Sequence, residues 1–258
     1  MKKSLTIVKI AILLLGLVFS GGCFQRAATT DPEDKIYKVA VTGGTATFNY
    51  LNKDGNLEGF ESDLMNAIAK EEGFKVKYEI TARAARIPAL KAKQADVILA
   101  VMTITDERKK EVDFSNPYFE ATLYILVPEN SQIQSLEDLR GKTVACAMAT
   151  TGDIALSKFL GKNYEGIKRF KDTSVGFLEL TSGKADAAVG DCAIVTQYVK
   201  NNPGAKLRIV RDNRFPKEYY GMAVRKGDTE TLQKINSGLK KIKDNGKYEQ
   251  IYQKWFNN

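Results

Sequence analysis

The stretch Ala95 to Phe119, ADVILAVMTITDERKKEVDFSNPYF, constrains this chain more than any other. It opens with a continuous apolar run, Val97 to Val101, the pattern of a parallel strand buried on both faces, and turns polar at Thr103. That pattern predicts an α/β fold with chemistry at the strand's C-terminal end. Thr105 suits an N-cap, Asp106 and Glu107 suit the positive end of a helix dipole, and Arg108 falls in the first turn beside the strand end. A guanidinium fork, the Thr103 hydroxyl and backbone N–H groups there make a candidate anion site that could take a small carboxylate bidentately. The alternative is a surface arginine paired with Glu107 or Glu111 along one helix.

The same segment resembles the hallmark of the extracytoplasmic solute-binding proteins of family 3, the polar-amino-acid receptors of ABC importers. The match runs through Met102 to Lys110, then Val112 to Ser115 and Pro117 to Phe119, and the resemblance extends from about Ile36 to Phe256. It implies a two-lobe periplasmic-binding-protein fold of type II, each lobe a mixed sheet flanked by helices, joined by a two-strand hinge. Residues 36–121 and 219–258 would form the first lobe and residues 122–218 the second. It also implies that Arg108 and Thr103 from one lobe and Thr151 from the other take an α-carboxylate, that Asp191 pairs with the α-ammonium, and that Val101 and Thr150 line the same site.

Physical chemistry agrees with those roles, because a desolvated carboxylate needs a fork donor plus amides and a desolvated ammonium needs a carboxylate acceptor. Asp191 could equally cap a helix over Cys192 to Lys200, and both roles can coexist. Arg86 stands in Arg86-Ile87-Pro88, similar to the Arg-Ile-Pro of acidic-amino-acid receptors, which implies contact with an acidic or small polar ligand side chain. A surface helix residue is the other reading of Arg86. The acidic or aromatic residues that relatives carry in two loops are missing from Thr42 to Thr47 and from Ala82 to Ala85.

The N-terminus reads as an export leader over residues 1–22, with Lys2 and Lys3 ahead of the apolar run Ile10 to Phe19. That run is too short to cross a membrane. Ser20-Gly21-Gly22-Cys23 looks like the lipobox of bacterial lipoproteins, with Cys23 as the lipidated residue and residues 23–35 as a flexible tether to the membrane. An ordinary leader with an incidental cysteine is the alternative. Three lysines and no acid precede Cys23, so removing the leader lowers the formal charge of +8 by three. The remaining basic residues are scattered without interleaved aromatics, which argues against nucleic acid and for solvated faces near an anionic membrane. Histidine is absent and Cys146 and Cys192 are far apart, so neither a hydrolytic triad nor a zinc site is expected, and no cofactor is. The two thiols could form a disulfide or remain free and buried.

Along the chain, Phe60 to Glu72 reads as an amphipathic helix stopped by Gly73 and Arg86 to Lys93 as a short helix with Pro88 in its first turn, and the family resemblance implies that Tyr219 to Val224 is the strand returning to the first lobe. Thr143 to Met148 reads as a strand whose end, Ala149 to Asp153, runs into a helix toward Leu160. Lys93-Gln94-Ala95-Asp96 before one strand is echoed by Gly183-Lys184-Ala185-Asp186 before another, which suggests two similar lobes. The tail from Leu232 to Phe256 is helical, broken at Gly246, with aromatic residues on its buried face. The expected protein is a monomeric, lipid-anchored receptor that binds a polar amino acid and delivers it to ABC permease subunits. The alternatives are a same-fold enzyme such as a cyclohexadienyl dehydratase, or a ligand-sensing surface lipoprotein.

Overall fold

The computed structural model describes residues 35–45 and 47–256. The leader, Cys23 and the tether up to residue 34 lie outside the described residues. The chain first forms β1 (Ile36–Val41), β2 (Gly44–Thr45), β3 (Asn49–Leu51), β4 (Leu57–Glu58), α1 (Phe60–Glu72), β5 (Lys75–Ile80), α2 (Arg86–Lys91), β6 (Val97–Ile98), α3 (Asp106–Glu111), β7 (Val112–Phe114) and β8 (Phe119–Ala121). Next come β9 (Leu123–Pro128), β10 (Val144–Ala147), α4 (Thr151–Leu160), β11 (Ile167–Phe170), α5 (Thr173–Thr181), β12 (Ala187–Asp191), α6 (Cys192–Asn201) and β13 (Leu207–Val210). They are followed by β14 (Glu218–Tyr220), β15 (Ala223–Arg225), α7 (Thr229–Asp244) and α8 (Lys247–Phe256).

One arrangement is built twice. The first sheet has the order β5-β1-β6-β15-β7 and the second β11-β10-β12-β9-β13, and in each only the fourth strand runs opposite to its neighbours. The echoed tetrapeptides make the same turn in both. Asp96 donates its N–H to the Lys38 carbonyl (2.8 Å) and accepts from the Lys38 N–H (3.0 Å); Asp186 does the same with Thr143 (2.8 Å each way). Each aspartate thereby fixes its strand's register on the strand beside it.

Local sequence accounts for most elements. Phe60, Leu64 and Ile68 bury one stripe of α1, and Gly73 ends it in the left-handed conformation (φ 66°), its N–H reaching the Ala69 carbonyl. Tyr248, Tyr252, Trp255 and Phe256 of the tail pack on the first core with Phe48, Phe60 and Phe119. The predicted strand Tyr219 to Val224 is two strands. β14 pairs with β8 and β15 enters the first sheet, and Gly221 stands at the break, where a Cβ would come within 2.9 Å of Ile104. The β8–β14 pair is where the chain crosses between the sheets in both directions. Cys146 and Cys192 are free thiols, the first buried in the second core and the second packed against the first core.

Candidate functional site

Arg86, Val101, Thr103, Arg108, Thr150, Thr151 and Asp191 all line one cleft of about 500 Å³, counting its open mouth, between the strand ends of the two sheets. The first wall begins where the chain leaves β6. Val101 has φ 50°, a left-handed conformation that a β-branched residue adopts at a cost of about 1–3 kcal/mol. Thr105 caps α3, its hydroxyl accepting from the Arg108 N–H at 3.3 Å, as the sequence predicts. The Arg108 side chain folds back over the strand end, donating to the Thr103 carbonyl (2.7 Å) and, across the cleft, to the Ala149 carbonyl (3.3 Å). Burial lowers its pKa, and the Glu218 carboxylate acts in the opposite sense.

The second wall uses helix starts. The Thr150 hydroxyl donates to the Ala147 carbonyl (2.7 Å) and accepts from the Asp153 N–H (3.2 Å), so it is engaged in capping α4. Gly152, in the first turn of that helix, also lines the cleft. Ala149, just before the cap, is left-handed at φ 58°. Asp191 caps α6 by accepting from the Ala193 N–H at 3.0 Å while lining the cleft. Burial pushes its carboxyl up to about 8, only partly offset by the capping N–H, and Glu218 raises it further.

Sequence reasoning missed three charged residues at this site. Glu218, on β14, accepts from the Thr103 hydroxyl (3.1 Å) and the Thr151 hydroxyl (2.8 Å), tying the two walls through one carboxylate oxygen. Its pKa is raised by burial, against the pull of those hydroxyls and Arg108. Arg83 lines both this cleft and an adjoining cavity shared with Thr42, Asp172 and Tyr198, and its buried Nε has no partner among the described residues. Glu61, in the first turn of α1, is fully buried beneath Val101; burial raises its carboxyl to about 7 against hydrogen bonds from Tyr118, Val101 and Asn49 and the charge of Arg86. No periodicity marks these residues. Arg86 itself is 5% exposed, its Nε donating to the Arg83 carbonyl (3.1 Å) and one Nη to the Ala100 carbonyl (2.5 Å).

Two α/β sheets of one topology, two crossings between them and a polar cleft at their strand ends define a two-lobe binding protein of the type II periplasmic class. The chain belongs to the bacterial extracellular solute-binding proteins, family 3, whose family model matches residues 37–258, and this puts its work outside the cytoplasm. It is similar to a probable histidine-binding protein of Neisseria gonorrhoeae, 39% identical over 96% of this chain and 93% of that one. The ABC transporter glutamine-binding protein GlnH of Bacillus subtilis is 35% identical over 99% of this chain and 97% of its own length. Among solved structures, the arginine-, lysine-, histidine-binding protein ArtJ of Geobacillus stearothermophilus superposes with a TM-score of 0.83 at 39% identity, covering 87% of this chain and 96% of that one.

Proposed function

We propose that the protein is a receptor that takes one free α-amino acid into the cleft and presents it to an ABC importer. The observation that carries this reading is the meeting of both charges in one cleft: the Arg108 fork, two threonine hydroxyls and the start of α4 for a carboxylate, and the Asp191 carboxyl for an ammonium. The α-carboxylate goes to Arg108, Thr103 and Thr151, and the α-ammonium to Asp191 and the half-buried corner at Val101. Thr150 contributes by holding the helix start. Each threonine hydroxyl has a single proton, which Glu218 accepts. An arriving carboxylate therefore exchanges with Glu218 at both hydroxyls.

The ligand side chain is acidic or small and polar. Arg83, with its unpartnered Nε, supports this better than Arg86, whose donors are turned to backbone carbonyls. Asp172 in the adjoining cavity favours a second reading, a basic side chain, in keeping with relatives named for arginine, lysine and histidine. A thermal-shift screen of the twenty amino acids separates the two. Stabilisation by glutamate, aspartate or small polar residues supports the first, and preferential stabilisation by arginine or lysine overturns it. Residues 36–121 with 219–258, and residues 122–218, are the two bodies that close, the β8–β14 pair being the hinge; small-angle scattering that is identical with and without saturating ligand would overturn closure. Lipidation at Cys23 anchors the monomer to the membrane, which mass spectrometry of the N-terminal peptide from membranes tests.

A further inference from the structure

One peptide group at the cleft is gripped from both ends by opposite charges. The carbonyl of Ala100 accepts from the Arg86 guanidinium at 2.5 Å, and the N–H of the same peptide, belonging to Val101, donates to the Glu61 carboxylate at 2.7 Å. Both side chains are withdrawn from solvent, Glu61 at 0% and Arg86 at 5% exposure. Glu61 is held in place by the Tyr118 hydroxyl and the Asn49 amide, and Asn49 also donates to the Leu99 carbonyl at 3.0 Å. The gripped peptide leads into Val101, whose left-handed φ of 50° is unfavourable for a β-branched residue. Among the described residues the Val101 carbonyl accepts no hydrogen bond, although Val101 lines the cleft.

A buried charge pair is a poor device for stability alone, since apolar residues of the same volume would serve as well or better. Its use here is directional. We infer that Glu61 and Arg86 are positioning residues that lock the Ala100–Val101 peptide in one orientation, so that the Val101 carbonyl stays free as an acceptor for the ligand's α-ammonium alongside Asp191. Neither touches the ligand in this role. The inference rests on the amino-acid reading above and reassigns Arg86 from the ligand's side chain to its backbone.

The test compares L-glutamate with glutarate, the same dicarboxylate without the α-ammonium, by calorimetric titration of the full chain and its variants. Arg86→Met removes the donor to Ala100 while keeping an unbranched side chain. Its affinity for L-glutamate should fall about tenfold or more while that for glutarate changes less than about threefold, because only the ammonium loses an oriented acceptor. Arg86→Lys should recover most of the loss, since a single carbonyl needs one donor and not a fork. Glu61→Met, which removes the acceptor of the Val101 N–H, should show the same selective loss, and Glu61→Gln, which keeps an acceptor oxygen, should recover part of it. Equal losses for both compounds, or no recovery with lysine, overturn the inference by assigning Arg86 to general folding or to the ligand's side-chain carboxylate. A crystal structure of Arg86→Met separates a failed clamp from a failed reading of the ligand: Val101 still left-handed, with its peptide unmoved, overturns the clamp whatever binds. A parent protein that binds glutarate as tightly as L-glutamate overturns the ammonium assignment instead.

Discussion

The first turns of α1 and α4 occupy the same place in their respective sheets, yet they treat an anion in opposite ways. Each helix connects the second strand of its sheet's order to the first; α4 begins at the cleft, and α1 begins beneath Val101, which lines it. In α1 the second residue is Glu61, whose carboxylate sits in the positive field of the helix start and accepts the Val101 N–H. In α4 the second residue is Gly152, which lines the cleft, and the acid of that first turn, Asp153, is turned to the Ala149 N–H and to Arg169 instead. What separates the two helix starts is the second residue, a buried carboxylate in α1 and a glycine lining the cleft in α4. In the proposed reading, the sequence uses the α1 start to shape the corner at Val101 and the α4 start to receive a ligand carboxylate.

The largest effect expected on that comparison comes from Arg108, which joins the two walls. Arg108→Ala leaves a bound carboxylate without its charged partner and should weaken amino-acid binding by about 30-fold to several thousand-fold. Calorimetry showing affinity within about twofold of the parent would mean that the cleft's anion site does not involve the first wall. Next is Gly152→Glu, which makes α4 imitate α1. A Cβ at Gly152 meets nothing closer than 3.5 Å, so the variant should fold, and its carboxylate should repel the ligand's enough to weaken binding by about tenfold or more. Unchanged affinity would break the equivalence of the two helix starts.

A smaller effect should appear with pH. Asp191 has its carboxyl raised to about 8 by burial and must be ionised to hold an ammonium. Binding should therefore release a proton below that value, and affinity should rise with pH by up to about tenfold per unit until about pH 8. Folding stability changes in the opposite sense: at Asp191 the folded chain binds more protons than the unfolded chain between about pH 4 and 8, so this group's contribution to stability declines as pH rises through that window. Titrations in buffers of different ionisation enthalpy measure the released proton, and a flat profile would mean that Asp191 is ionised before the ligand arrives. The smallest effect concerns the thiols. Cys146 and Cys192 belong to different cores and should both titrate as free in unfolded, unreduced protein, with no change in melting temperature on adding reductant.

The first wall was legible because its signals are local. An apolar run, a threonine cap and an arginine in the first turn lie within twelve residues, Val97 to Arg108, and periodicity and capping operate over that range. α1 was legible to the residue because its buried stripe and its glycine stop are local as well. Glu218 was not, because its partners Thr103 and Thr151 are 115 and 67 residues away and only the crossing strands bring them together. Glu61 reads in the sequence as one more acid in the first turn of a helix; its burial depends on Tyr118 and Asn49 closing over it. The predicted strand over Tyr219 to Val224 failed at Gly221 for a similar reason, the close passage of Ile104 from a distant segment.

The place of β15 also bears on the order in which the chain can complete itself as it leaves a ribosome or a translocation pore. The second sheet is drawn without interruption from Leu123 to Val210, whereas β15 enters the first sheet between β6 and β7, pairing with residues more than a hundred positions earlier. A nascent chain that has emerged as far as Val210 holds every strand of its second sheet but leaves the facing edges of β6 and β7 unpaired, and α7 and α8 have yet to cover α1. Unpaired edges of that kind template wrong partners, and long-range closure is slow. The segment made last thus completes the half of the molecule begun first, and until it arrives the Arg108 wall has no finished sheet behind it.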